Sequence, residues 1–184
     1  MSGLTRSQSY LRPSTGRVRD ANQAELEEMK QEFGLHELAV EDSLHGHQRP
    51  KIEEYGDSLF VVLHTVEFLG DELSIGELDV FVGPNFVLSV RNRTRKGFHD
   101  VRARCEAERE LLSFGTGSVI SALMDAVVDR YIPVLDALET RLERIEEEIF
   151  GGRLARANIE SLYALKQNLM TLKHAASPLL DAAG

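Results

Sequence analysis

The run Leu59-Phe60-Val61-Val62-Leu63 constrains the fold more than any other stretch. Five consecutive apolar residues are far short of the roughly 20 that cross a bilayer, and they lack the alternation of a strand with one wet face. They read as a strand covered on both sides, interior to a sheet. The flanking residues supply its neighbours. Pro50 pushes Arg49 out of the helical region, so the chain turns at His47 to Arg49; 51–55 is then a short strand, Gly56-Asp57 a turn and 58–68 a long strand. Gly70-Asp71 gives a hairpin signal, and 73–82 returns with Leu78, Val80 and Val82 on one face and Asp79 and Phe81 on the other. Gly83-Pro84-Asn85 makes a further turn before a strand at 86–91. Successive strands joined by short turns make an antiparallel meander.

Helices flank the meander on both sides in sequence. Asn22 with Glu25 three residues on forms a capping box, Leu26, Met29 and Phe33 give the buried face, and Gly34 ends the helix. A second helix over 36–45 is expected to bury Leu38, Ala39 and Leu44 and to turn Glu37, Glu41 and Asp42 outward. Upstream, residues 1–20 are rich in Ser, Gly and Arg with little periodicity and read as a poorly ordered N-terminus, with a short extended piece near 17–19. From Phe98 the apolar period becomes helical: one helix over 98–112, an interruption at Gly115 and Gly117, and a single long helix over 118–150 with Ile120, Met124, Val127, Tyr131, Val134, Leu138, Leu142, Ile145 and Ile149 in step. Gly151-Gly152 breaks it, and Leu162, Leu165, Leu169, Leu172 and Leu179 repeat the rhythm, which predicts an antiparallel helical hairpin.

Charge and motif content narrow the function. A net charge of -9 argues against nucleic acid as partner, because a phosphate groove needs a Lys/Arg face. The single Cys105 excludes an internal disulfide and a cysteine-rich zinc site, and its charged neighbours Arg102, Arg104, Glu106 and Glu108 place it on a helix as a half-buried thiol. The first 19 residues have no apolar signal core, and no apolar run is long enough to span a bilayer. His45 and His47 are two apart across a turn, which fits no zinc signature, and with His36 they read as packing or hydrogen-bonding residues. With no phosphate loop, nucleophile elbow or Cys/His pair, nothing supports an enzyme. Between 118 and 150 eight acids face three bases. Their self-repulsion is offset by solvent, cations or a basic partner, and Asp125 and Asp129, one turn apart, share a face. On spacing alone these acids, like the adjacent Glu41-Asp42, are solvated helix surface.

Longer ordered blocks add to this. Gly34-Leu35-His36-Glu37-Leu38-Ala39-Val40-Glu41-Asp42, His47-Gln48-Arg49-Pro50-Lys51 with Tyr55, and Phe81-Val82-Gly83-Pro84-Asn85-Phe86-Val87-Leu88-Ser89-Val90 strongly resemble the cytoplasmic domain of CorA-type divalent-cation transporters. The resemblance continues through Leu123-Met124-Asp125-Ala126-Val127-Val128-Asp129-Arg130-Tyr131, Ile145-Glu146-Glu147-Glu148-Ile149-Phe150, Leu162 to Lys166 and Ser177-Pro178-Leu179.

It implies an α/β (α+β) fold: an αβα sandwich with a largely antiparallel sheet over 21–115 and a long C-terminal helical hairpin over 116–184. It further implies a regulatory, ion-sensing domain on the cytoplasmic side of the bacterial inner membrane, belonging to a homopentamer that moves magnesium or cobalt. The chain is expected to stop short of the family's stalk and two membrane spans. Family members have further strands upstream of the first helix. Weakly held regulatory Mg2+ sits between neighbouring domains in this family, and by motif match its ligands here would be Glu41, Asp42 and Asp125, with Asp129 beside them. The same domain of a zinc-transporting relative, and an acidic coiled-coil interaction module with no ion role, are the alternatives.

Overall fold

The structure is a computed structural model that describes residues 14–19, 21–107, 115–152 and 156–183. Its centre is the meander: β2 (Lys51–Tyr55), β3 (Ser58–Leu69), β4 (Glu72–Val82) and β5 (Phe86–Asn92) pair antiparallel in chain order. The β3–β4 ladder runs unbroken from Leu59 opposite Val82 to Leu69 opposite Glu72. Gly70, at φ 66°, closes that hairpin in a backbone conformation that costs glycine nothing. A fifth strand, β1 (Ser14–Arg19), lies parallel to β5 at the sheet edge, giving the order β1-β5-β4-β3-β2. The extended piece expected at 17–19 is thus a six-residue strand, and the N-terminus from Ser14 to Arg19 is ordered rather than loose. The expectation for residues 1–13 lies outside the described residues.

The apolar run in β3 is covered on both faces, as predicted. Val61 and Leu63 join Leu78, Val80 and Val82 in one core cluster, whereas Phe60 and Val62 join Phe81, Leu88 and Val90 in another. Helices α1 (Gln23–Phe33) and α2 (Glu37–His45) cover the second cluster with Leu26, Ala39 and Val40. Helices α3 (His99–Ala107) and α4 (Thr116–Val128) cover the first with Val101, Cys105, Val119, Ala122, Leu123 and Val127. The layers are therefore helix, sheet, helix. The capping box of α1 is present in full, with Asn22 and Glu25 exchanging 3.0 Å bonds, and Gly34 closes the helix at φ 64°.

Two helices differ from the sequence expectation. In α2 the sheet-facing residues are Ala39, Val40 and Ser43, while Leu38 is 54% exposed and Leu44 37%. The helix is rolled so that the Ser43 hydroxyl reaches Asp79 on β4 at 2.7 Å, a bond that decides the buried face against the leucines. The single helix expected over 118–150 is two, α4 and α5 (Tyr131–Phe150), with Gly117 inside the first turn of α4. Pro133 explains the break: it has no N–H to give the Asp129 carbonyl and its ring crowds that carbonyl. Arg130 fills the joint, donating to the carbonyls of Lys96 and Gly97 and lying 3.7 Å above the Phe98 ring.

The last helix, α6 (Arg156–Ala183), folds back along α5. Arg141 of α5 and Asn168 of α6 both bond Asp71 in the β3–β4 turn, which fixes the antiparallel register. Residues 108–112, expected to continue α3, and the side chain of Leu179 lie outside the described residues. Among the described residues no helix is long and apolar enough to cross a membrane.

Candidate functional site

Helix α2 brings the first pair of candidate acids to the rim of the sandwich. His36 caps it and stacks on Tyr55 with ring centroids 4.0 Å apart. Glu41 is exposed, and its carbonyl accepts the His45 Nδ1–H at 2.8 Å. Asp42 is half-buried and already holds a cation of the chain itself, Lys51 Nζ at 2.6 Å. Lys51 is shared with Glu53 at 2.9 Å, which in turn accepts the Tyr55 hydroxyl at 2.8 Å. Burial works to lower the Lys51 ammonium, but the hydrogen bonds and charges of Asp42 and Glu53 outweigh it and leave it raised. The Lys51 hydrogen bond holds Glu53 below the usual carboxylate range.

Asp125 and Asp129 are exposed on α4 with the Asp129 N–H bonded to the Asp125 carbonyl at 2.8 Å, so the two carboxylates share a face as expected. They stand on the opposite side of the sheet from Glu41 and Asp42, because α4 packs on the Val61/Leu78 face and α2 on the Phe60/Phe81 face. One chain does not bring the two pairs together. Among the described residues no group of three or more His, Cys, Asp or Glu side chains is arranged to hold a metal ion. The side chains of Glu41, Asp125 and Asp129 make no hydrogen bond or ion pair among the described residues, which suits them to a loosely held, largely hydrated magnesium ion.

Beneath α2 lies a cluster that the sequence reading did not single out. Glu77 and Asp79 point to the same face of β4 and are 2% and 0% exposed. Asp79 Oδ2 accepts from Ser43 Oγ at 2.7 Å and from Asn92 Nδ2 at 3.1 Å. Glu77 Oε2 accepts from the Gln48 N–H at 3.0 Å. Directly across the ladder, His64 Nε2–H donates to the Gln48 carbonyl at 2.8 Å, so the peptide of Gln48 is held from both ends. The other oxygens, Glu77 Oε1 and Asp79 Oδ1, are buried and receive no donor among the described residues. Burial, then the negative charge of Glu77, push the Asp79 carboxyl up to about 8.

The turn above the cluster is strained. His47 and Arg93 hold left-handed φ values of 59° and 56°, and Arg93 Nη2 donates to His47 Nδ1 at 3.2 Å. His47, Gln48, His64, Glu77 and Arg93 contribute to the wall of a cavity of about 220 Å³. From the far layer the Tyr131 hydroxyl, pushed up to about 12 by burial, donates to the His64 carbonyl at 3.2 Å. The signal for this cluster was available: two acids at i and i+2 on a strand whose other residues on that face are apolar must both point inward.

Similarity to known proteins follows the same layout. The family profile described as "CorA-like Mg2+ transporter protein" matches residues 17–183. YfjQ of Bacillus subtilis is 31% identical over 153 residues, covering 81% of this chain and 46% of its own length. The cobalt/magnesium transport protein CorA of Thermotoga maritima is 29% identical over 152 residues, covering 81% and 43%. The soluble domain of CorA from Methanocaldococcus jannaschii superposes with a TM-score of 0.71 at 17% identity, over 90% of this chain and 66% of that one. The chain spans a little under half the length of the two sequence relatives.

Proposed function

The chain belongs to the CorA-like Mg2+ transporter family, and on that premise we propose that it is the cytoplasmic ion-sensing part of a divalent-cation transporter of the bacterial inner membrane. One observation carries the reading: Glu41 and the Asp125/Asp129 pair lie exposed on opposite faces of the sandwich, their side chains without a partner among the described residues. Acids so placed meet only when two copies stand side by side, the α2 rim of one facing the α4 of the next. Such an interface is repulsive when bare, and a shared magnesium ion, holding one or two carboxylates and keeping much of its water, offsets the repulsion. Bound ion then favours the closely packed assembly, taken to be a homopentamer, and ion loss loosens it; the coupling is the difference in ion affinity between the two states. Asp42 enters this site by exchanging Lys51 for the ion.

The test is protease sensitivity of the full transporter with and without magnesium chloride. Replacing Glu41, Asp42 and Asp125 by Ala is expected to abolish magnesium-dependent protection, and unchanged protection rejects these positions. Running cobalt and zinc beside magnesium ranks the ions sensed.

A further inference from the structure

Neither Glu77 nor Asp79 takes part in any ion pair among the described residues. Two ionised carboxylates side by side, almost wholly out of water and without a counter-cation, would be a costly arrangement. Their hydrogen bonds leave one oxygen of each without a donor among the described residues, Asp79 Oδ1 and Glu77 Oε1, and the two side chains are neighbours on one buried face of β4. A single proton on Asp79 Oδ1, donated to Glu77 Oε1, satisfies both atoms at once. We propose that Glu77 and Asp79 form a proton-binding site, and that the proton they share is the latch fastening α2 and the following turn to the sheet.

Every other bond of the pair leads to that moving part. Asp79 receives the hydroxyl of Ser43 on α2, and Asn92, which also bonds Asp79, donates to the Ser43 carbonyl at 3.2 Å. Glu77 receives the N–H of Gln48 in the turn after α2. Removing the proton leaves two neighbouring anions, and the element that can move away from them is α2 with its turn, which keeps its apolar face, the Asp42–Lys51 pair and the His36–Tyr55 stack but loses these side-chain bonds. The charged or titratable groups around the pair are Asp42 on α2, His47 in the turn, His64 on β3 and Arg93 after β5. Asp42 adds negative charge and favours keeping the proton, while Arg93 and a protonated His64 or His47 favour releasing it. The proton is lost on the alkaline side of neutrality. The latch positions the helix that bears Glu41 and Asp42, so only its consequence for ion sensing rests on the reading above; the shared proton itself does not.

Carbon-13 NMR of the side-chain carboxyls, in metal-free buffer from pH 5 to pH 10, reads the proton directly. The expected result is an Asp79 carboxyl that titrates near pH 8 and, in Glu77→Gln, titrates lower while burial still holds it above the ordinary carboxylate range. Amide exchange along α2, corrected for the intrinsic pH dependence, should speed up about tenfold for each pH unit from pH 5 toward that titration in the wild-type chain and level off above it. It should hold steady in Asp79→Asn, whose amide N–H replaces the shared proton. An Asp79 carboxyl already ionised at pH 6, or the same alkaline loosening in Asp79→Asn, overturns the proposal. Because no divalent ion is present, that failure leaves the protease experiment untouched, and failure of the protease experiment leaves the proton in place.

Discussion

Replacing Asp79 by Asn should flatten the dependence of folding stability on pH. The folded carboxyl, raised to about 8 by burial and by Glu77, keeps its proton over a range in which the unfolded chain has lost it. Between about pH 4 and pH 8 the native state therefore holds one proton more than the unfolded state, and stability falls as pH rises. The contribution is full below the unfolded value and is lost as pH passes through the folded one. One proton corresponds to about 1.4 kcal/mol per pH unit, so between pH 6 and pH 8, where the slope tapers, the wild-type chain should lose about 2 kcal/mol relative to Asp79→Asn. Asparagine keeps the geometry: its carbonyl accepts from Ser43 and Asn92 and its amide donates to Glu77. Urea unfolding at several pH values, followed by circular dichroism at constant ionic strength, measures the difference. Parallel stability profiles for the two proteins across pH 6 to 8 would refute the reasoning, because they would mean that Asp79 is ionised in the folded state from the start.

Three further substitutions probe the frame that holds this site. Leu26→Ala empties a position that is 0% exposed under the sheet and should cost about 2–5 kcal/mol in urea unfolding, whereas a loss below about 1 kcal/mol would mean the α1 layer is not packed as described. Asn22→Ala removes the side chain that receives the Glu25 N–H and should cost about 1 kcal/mol, seen as fraying of the first turn of α1 in amide exchange. Gly76→Ala places a methyl against the bonded hydroxyls of Thr65 and Thr94, 2.7 Å from Thr65 Oγ1 and 3.1 Å from the Arg93 carbonyl; it should cost about 1–3 kcal/mol and disturb the strained turn at Arg93, and a neutral effect on the melting temperature would contradict so tight an approach.

What could be read in advance follows the range of the interaction involved. The meander was legible because the patterns that specify it are local: alternation in β4, the double-sided run in β3, and turn residues Gly56, Gly70 and Gly83 between them. The same holds for α1, whose box and terminal glycine lie within its own sequence. The face of α2 was misread because hydrophobicity favoured Leu38 and Leu44, and the bond that overrules them joins residues 36 apart. The break before Tyr131 is a different kind of miss. Pro133 stands in plain view, and the apolar rhythm from Val127 to Val134 concealed it because α4 and α5 keep nearly the same buried stripe across the joint.

The two acid groups differ in the same way. Glu41, Asp42, Asp125 and Asp129 look like any solvated helix surface, and only ordered likeness to a family set them apart. Their placement on opposite faces of the sheet then decides how they can act, since acids that cannot meet within a chain can share an ion only across a boundary between chains. Glu77 and Asp79 needed no likeness. Inward acids two apart on a strand of Val, Leu and Phe must be paired with a cation, with each other through a proton, or with a chain of hydrogen bonds. No described residue forms an ion pair with either acid and one oxygen of each is left over, so a proton between them is what completes the cluster. That cluster sits directly beneath the helix carrying Glu41 and Asp42, so buried protonation acts, beside the surface pair of Asp42 with Lys51, on how these two acids are attached to the sheet, and leaves Asp125 and Asp129 on the far face untouched.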